Sequence, residues 1–365
     1  MPQSRDALVN DFLQYQGGLL ESKMTDVVAA RTIREWISGE RTECRRIFFV
    51  SNGADPSVLD GVIGGDDVVL LPLDCDWSTA RAREVRYAGQ LLDVGDELFI
   101  NGRSVELQDY LSAGFVEIVG PTAVRFFDEA GWRAFFDDAD LARQTGVFPA
   151  PLVDPRVVLA DRNALDAERA SAAPLAVRLD ADGAIGLGMQ GIILGHTDDL
   201  GSAINRLVSR AEAFTAAVPA AVVDDDLVSR PWLPRYLRAA ELIKMLRIAT
   251  GAIEIDGFGW SHVTDERADA EPLSSDPFLV NGSEGILFAN VASRRRQLLT
   301  PLTADVVSIL QTSSYIDLAH DRVAARHGTG RSTAANLCSN ALELLSVNLG
   351  AQRIPEEAGL TGSVL

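Results

Sequence analysis

Along the first 160 residues, the hydrophobic positions follow two patterns, one typical of helices and one typical of strands. Apolar residues spaced along one helical face predict helical structure across Met1–Gly39. Short apolar runs that end in turn residues predict buried strands, and they cover Arg46–Val50, Val68–Leu73, Phe115–Val119 and Arg156–Leu159. Asn101-Gly102 lies between Glu97–Ile100 and Ser104–Leu107, a pattern typical of a tight hairpin. The stretch Phe126–Leu141, rich in Phe and Asp, predicts a surface helix.

The pattern changes in the middle of the chain. Leu175–Leu179 and Ala184–Leu187 predict a second hairpin, while Leu200–Ala217 and Pro231–Thr250 predict amphipathic helices. In the first of these helices, one face would carry Ile204, Leu207, Ala211 and Phe214. Asp224–Asp226 predicts a solvated loop, and the polar stretch His262–Asp276 predicts a domain boundary. We therefore expect domains over residues 1–170, 171–265 and 275–350.

The last of these segments has the clearest pattern. Three strands are predicted, over Phe278–Val280, Gly285–Ala292 and Arg295–Leu299. Three helices follow: one begins at Thr300-Pro301, one covers Ser314–His327 before Gly328, and one runs from a Ser332 cap to Gly350. The predicted fold class is therefore a multidomain α+β or α/β protein. Its N-terminal region is mixed α/β, and its C-terminal module is winged-helix-like, with three strands and three helices.

Composition and charge exclude several classes of protein. The 365 residues include 33 basic and 52 acidic side chains, and the net charge of -19 disfavours binding to nucleic acid. Cys44, Cys75 and Cys338 lack the spacing of a zinc site or a disulfide framework. Neither a signal peptide nor a run of ~18 apolar residues is found, so we expect a soluble, cytoplasmic protein that does not bind membranes.

Candidate catalytic and cofactor motifs are weak. Gly186–Gly191 is a literal GxGxxG, but it lies in a predicted hairpin and not between a strand and a helix, as a dinucleotide site requires. Asp74 and Asp76 follow a predicted strand, where paired carboxylates could bind Mg²⁺. The histidines, which are His196, His262, His320 and His327, lack metal-ligand spacing and are predicted at the surface. The sequence therefore predicts no catalytic residue, metal or cofactor.

The C-terminal segment resembles a known family. The resemblance rests on Gly285–Asn290 as the middle strand, on Gln297–Ala304 as the corner between strand and helix, and on the long last helix. In this order they resemble the PqqD-like RiPP recognition element, which binds the leader segment of ribosomally made precursor peptides. A narrower resemblance, to the stand-alone recognition proteins of daptide-type biosynthesis, rests on the acidic composition and the long N-terminal region.

The resemblance implies a site and its partners. A leader peptide would add as an antiparallel strand to the third strand, where Gln297 and Leu299 flank the edge on either side of Leu298. A groove beside that edge would be lined by Asn336, Leu337, Asn340 and Leu344. Arg294, Arg295 and Arg296 would attract carboxylates of the peptide. The implied partners are the precursor peptide and a modifying enzyme such as a dehydrogenase, aminotransferase or methyltransferase.

Three alternatives remain open on the sequence alone. The three arginines could equally form a solvated turn without a ligand. The same winged helix could belong to a transcriptional regulator that contacts DNA through Arg331, Ser332 and Asn336. The N-terminal region could be an enzyme that binds a nucleotide or metal near Asp74 and Asp76.

Overall fold

The computed structural model describes residues 27–166, 171–247 and 253–352. The chain forms two compact units, which are built from Met1–Phe136 with Arg156–Pro231, and from Asp137–Pro155 with Trp232–Leu365. The expected mixed α/β class is confirmed. Of the predicted N-terminal helix, residues 27–38 are helical, Gly39 is not, and residues 1–26 lie outside the described residues.

The first unit contains a mixed sheet that has ten strands in the described part of the chain. Its order is β11-β10-β9-β1-β2-β3-β4-β5-β6-β7. Strands β1, β2, β3 and β9 pair in parallel, β5 to β7 pair in parallel, and hairpins join β3 to β5 and β9 to β11. The strands of this unit, including the separate pair β8 and β12, are β1 Arg46–Val50, β2 Asp67–Pro72, β3 Arg83–Gly89, β4 Glu97–Ile100, β5 Arg103–Asp109, β6 Thr122–Arg125, β7 Val157–Leu159, β8 Ser171–Ala172, β9 Ala176–Leu179, β10 Ala184–Leu187, β11 Ile193–His196 and β12 Val208–Ser209.

Helices cover much of the remaining chain before residue 250. Short 3-10 helices lie at Pro56–Gly61, Thr197–Asp199 and Ala211–Phe214. The α-helices are α1 27–38, α2 Tyr110–Ala113, α3 Glu129–Thr145, α4 Ala150–Val153, α5 Arg162–Asp166, α6 Leu200–Ala203, α7 Ala220–Ser229 and α8 Leu233–Leu246.

One apolar core joins most of the sheet to α1. Trp36 of α1 stacks on Phe49 of β1 with ring centroids 4.4 Å apart, and Phe49 stacks on Tyr87 of β3 at 4.7 Å. The Tyr87 hydroxyl donates to the Val50 carbonyl at 2.6 Å, so the polar end of this buried ring is satisfied. The same core also includes Ala123 of β6, so it extends across most of the sheet.

The Asn-Gly hairpin is confirmed, but several other sequence predictions in this unit are wrong. Asn101 and Gly102 have φ values of 49° and 74°, as the tight turn between β4 and β5 requires. No strand forms over Phe115–Val119, where Phe115 is 87% exposed. The predicted helix over Leu200–Ala217 is instead α6, β12 and a 3-10 helix, and Leu207 is exposed. Both stretches have the hydrophobic pattern of the predicted element, but neither forms that element.

Helix α3 is not the surface helix that the sequence predicts. Trp132 and Phe135 are fully buried in an aromatic cluster with Phe126 of β6 and Phe214. The Trp132 Nε1–H group donates to Asp226 Oδ2 at 2.8 Å. Asp226 lies in α7, so the predicted Asp224–Asp226 loop is also wrong: this stretch is helical and supplies a partner to a buried indole.

Replacing Asp226 with alanine is expected to destabilise the protein by about 1–3 kcal/mol, because the buried Trp132 donor would lose its acceptor. Asp226 also pairs with Arg230, at 3.0 Å. Urea unfolding measures the change, and Asp224→Ala on an exposed position of the same helix is the matched control. Equal stability of the two variants would contradict a role for this hydrogen bond.

The second unit contains a five-stranded sheet in its described residues, ordered β14-β13-β16-β17-β18. Strands β16, β17 and β18 form an antiparallel meander. Its strands and those of a small pair, β15 with β19, are β13 Glu254–Asp256, β14 Gly259–Trp260, β15 Ala270–Glu271, β16 Phe278–Gly282, β17 Gly285–Asn290, β18 Arg295–Leu298 and β19 Ala351–Gln352. The helices that follow the meander are α9 Pro301–Gln311, α10 Ile316–His327 and α11 Arg331–Leu345.

The order of three strands and three helices from β16 to α11 is the one that the sequence predicts. Thr300 caps α9 by accepting a hydrogen bond from Thr303 N–H at 3.2 Å, and Gly328 ends α10 with a φ of 60°. The ends of α11 differ from prediction. Gly330, and not Ser332, precedes the helix, and Ser346 ends it with a φ of 55°.

Candidate functional site

Strand β18 is an edge strand. It pairs with β17 on one side, and no strand of the described residues pairs with its other side. The Leu299 N–H group donates to the Ile286 carbonyl of β17 at 2.9 Å. Because backbone groups alternate in direction along a strand, the outward N–H and C=O groups belong to Arg296 and Leu298. The backbone edge expected at Gln297 and Leu299 is therefore shifted by one residue.

The side chains of β18 divide between two faces. Leu299 packs against the apolar core of the three-helix segment, so Gln297 and Arg295, two and four residues away, share its face. Arg295 Nη1 donates to the Leu344 carbonyl of α11 at 3.3 Å, and its Nη2 donates to Gln297 Oε1 at 3.0 Å. This arginine joins the C-terminal end of α11 to β18, where a cation also stabilises the helix dipole.

Helix α11 forms the second wall beside the β18 edge. Asn336, Asn340 and Leu344 are spaced four residues apart, so they share one helical face, and all three are exposed. Leu337 is half-buried against the core. Leu344 is 69% exposed and Leu298 is 55% exposed. The contact between Arg295 and the Leu344 carbonyl thus brings the C-terminal end of α11 to the open backbone edge of β18.

The turn before β18 concentrates positive charge. Asn290 Oδ1 accepts a hydrogen bond from Ser293 N–H at 2.9 Å, and Arg294 adopts a left-handed φ of 54° to complete the turn. The side chains of Arg294, Arg295 and Arg296 are all exposed. By contrast, Arg331 at the start of α11 is paired with Asp317 at 2.8 Å and with Asp321 at 3.3 Å. Of the three residues with which a regulator would contact DNA, Arg331 is therefore paired with two carboxylates.

The GxGxxG stretch does not have the geometry of a dinucleotide site. It follows β10 into a turn and then β11, with no helix at its end. Asp161 accepts hydrogen bonds from the Met189 and Gln190 N–H groups, and a Cβ at Gly188 would lie 2.2 Å from Asp161 Oδ1. Arg178 donates to the Met189 carbonyl at 3.0 Å. The Asp161 carboxyl thus packs directly against this stretch, and close packing explains the glycine at 188.

The aspartate pair after β2 lies at the surface. Asp74 and Asp76 are both exposed in the turn that follows β2. Among residues 27–166, 171–247 and 253–352, no group of three His, Cys, Asp or Glu side chains is arranged to hold a metal ion.

A partly buried ionic cluster contains His262 and His327, two of the histidines predicted at the surface. His262 Nε2 lies 3.0 Å from Asp305 Oδ1, and His327 Nε2 lies 3.3 Å from Asp305 Oδ2. Arg326 donates to both oxygens of the same carboxylate, at 2.6 and 3.1 Å. The sequence did not indicate this cluster, because the two histidines are 65 residues apart and only the fold brings them together.

In the described part of the chain, no helix has the length and apolar character needed to cross a membrane. Comparison finds no matching family model, no similar curated protein and no similar solved structure.

Proposed function

We propose that the chain is a recognition protein that binds the leader segment of a ribosomally made precursor peptide. The proposal rests on one observation, the open edge of β18 beside α11 and the three arginines. The winged-helix-like module of the PqqD-like recognition elements has the same order of three strands and three helices. In this proposal the protein is cytoplasmic, carries out no chemistry itself, and presents the peptide to a dehydrogenase, aminotransferase or methyltransferase.

The geometry explains how such a peptide would bind. Its backbone would pair with the outward groups of Arg296 and Leu298, and this pairing supplies affinity without regard to sequence. Alternate peptide side chains would then point toward α11, where Leu344 offers an apolar contact and Asn340 an amide. Acidic residues of the peptide would meet the arginines of the preceding turn. Charge complementarity matters here because the chain as a whole carries a net charge of -19 and would otherwise repel an acidic peptide.

Binding of synthetic peptides tests the proposal. The peptides should cover the short reading frames that flank the gene, with a scrambled version of each as the control. Fluorescence anisotropy is expected to show saturable binding by one of them, and amide exchange should slow at Arg296 and Leu298. The Leu299 amide should change little, since it already donates to Ile286. Binding without this protection pattern, or no binding by any peptide, would overturn the proposal.

Replacing Arg296 with glutamine is expected to weaken binding of an acidic leader peptide by up to roughly fivefold, since exposed ion pairs contribute ~0.2–1 kcal/mol. The loss should shrink at high salt, which screens exposed charges. Arg331→Gln removes the same charge from an arginine that Asp317 already neutralises, so it serves as the control. Anisotropy titrations at low and high salt measure both effects, and equal affinities for the two variants would contradict the role of Arg296.

A further inference from the structure

An apolar row crosses the face of the meander that points away from the three-helix core, and it ends at the open edge. By strand register, Val280 of β16 lies opposite Leu287 of β17, and Leu287 lies opposite Leu298 of β18. Residues that lie opposite each other in a sheet share a face, so these three side chains form one row. Val280 is 1% exposed, Leu287 is half-buried and Leu298 is 55% exposed. A further apolar side chain beside Leu298 would therefore extend the row and bury its exposed end.

The neighbouring row on the same face ends in a positive charge. Phe278 of β16 lies opposite Ala289 of β17, and Ala289 lies opposite Arg296 of β18. The Arg296 side chain is exposed, and no carboxylate of the described residues pairs with it. Arg296 and Leu298 are also the two residues of β18 whose backbone groups point outward. Each outward backbone position of β18 thus has its own side-chain contact to offer, one cationic and one apolar.

The sheet also indicates the direction of an added strand. The pairs β13 with β16, β16 with β17 and β17 with β18 are all antiparallel, and antiparallel pairing is the more stable kind per residue. Read from its N-terminus, an antiparallel peptide on β18 would pass Leu298 first and Arg296 two residues later. Its side chains at these two positions would lie on the face of the two rows, and the residue between them would point toward α11.

Resting on the proposed function, we propose that the peptide bound by β18 carries an apolar residue followed two positions later by an acidic residue, in N-to-C order. The apolar side chain extends the row of Val280, Leu287 and Leu298, and the acidic side chain pairs with Arg296. The reverse order would place the carboxylate beside Leu298 and the apolar side chain beside Arg296. Order along the chain, and not composition alone, therefore selects the peptide.

Selection of peptides on the full-length protein tests this order. A display library of random twelve-residue peptides is the probe, and counter-selection against Leu298→Pro removes peptides that bind elsewhere. We expect the enriched sequences to share an apolar residue, any residue and an acidic residue, in N-to-C order. Enrichment of the reverse order, or of peptides without a preferred spacing, overturns the inference and leaves strand addition at β18 intact. Absence of any enriched peptide also overturns it, whereas the proposed function is decided separately, by the peptides of the flanking reading frames.

A charge swap connects the acidic position of the peptide to Arg296. In the most enriched peptide, lysine at the acidic position is expected to weaken binding to wild type by roughly fivefold or more, because like charges opposite each other in a sheet repel. Arg296→Glu should reverse this preference, so that the lysine peptide binds more tightly than the acidic one. Arg103→Glu makes the same change of charge at an exposed position of β5 and should keep the wild-type preference. An unchanged preference in Arg296→Glu, or an equal reversal in both variants, overturns the pairing.

Discussion

Proline at position 298 is expected to weaken leader-peptide binding on the order of tenfold or more and to leave the fold intact. The Leu298 N–H group points away from β17, so the ring removes an edge donor without breaking a bond within the sheet. An incoming strand would lose one backbone hydrogen bond and would meet the ring where it should pair. The combined loss is on the order of tenfold or more in affinity. Fluorescence anisotropy with the bound peptide measures it.

Two comparison variants make this result specific to the edge. Leu298→Ala keeps the N–H group and should retain most of the affinity. Leu299→Pro removes the donor to the Ile286 carbonyl, so it should destabilise the pairing of β17 with β18 and lower the unfolding midpoint. If Leu298→Pro binds like wild type, strand addition at β18 is excluded. If Leu298→Pro instead unfolds, a peptide methylated at the amide that would donate to the Leu298 carbonyl tests the same strand pairing through its reciprocal hydrogen bond.

Local signals predicted the fold where one residue type enforces one conformation. The tight turn at Asn101-Gly102 requires positive φ at both positions, which this residue pair adopts readily, and the hairpin from β4 to β5 formed as expected. Periodicity alone was weaker evidence. In Leu200–Ala217, Glu212 accepts hydrogen bonds from Ser209 N–H and from Arg206, and these local contacts accompany a break in the predicted helix. Helix α3 was predicted, but its burial was not, because its aromatic partners come from distant strands.

The candidate site was predictable as a segment but not in its register. A strand followed by Thr300-Pro301 is enough to place β18 and the start of α9. The sequence could not show which backbone groups of β18 point outward, because that depends on the pairing with β17, and a shift of one residue reverses every direction. Asp161 was missed entirely. Its role depends on a contact with Gly188, 27 positions away, which no local pattern reveals.

Asp161 should also control how stability depends on pH. Burial raises the pKa of its carboxyl from 3.8 to about 7, although the Met189 and Gln190 N–H groups partly oppose this shift. The neutral carboxyl is therefore favoured in the folded state, and its contribution is fully present below pH 4. As pH rises toward 7, the unfolded state loses its proton first, and the free energy of unfolding falls. The full change is about 4 kcal/mol for one group with this shift.

Replacing Asp161 with asparagine isolates this contribution. Asparagine cannot ionise, its amide oxygen can still accept the loop N–H groups, and it tolerates the left-handed φ of 50° at this position. Urea unfolding, monitored by amide exchange of β1 and β2, should show that the variant gains stability relative to wild type as pH rises from 4 to 7. Other titrating groups cancel in this difference. A carbon-detected titration of the Asp161 carboxyl should have its midpoint near 7. A stability difference that does not change with pH would show that this carboxyl is not held neutral by its burial.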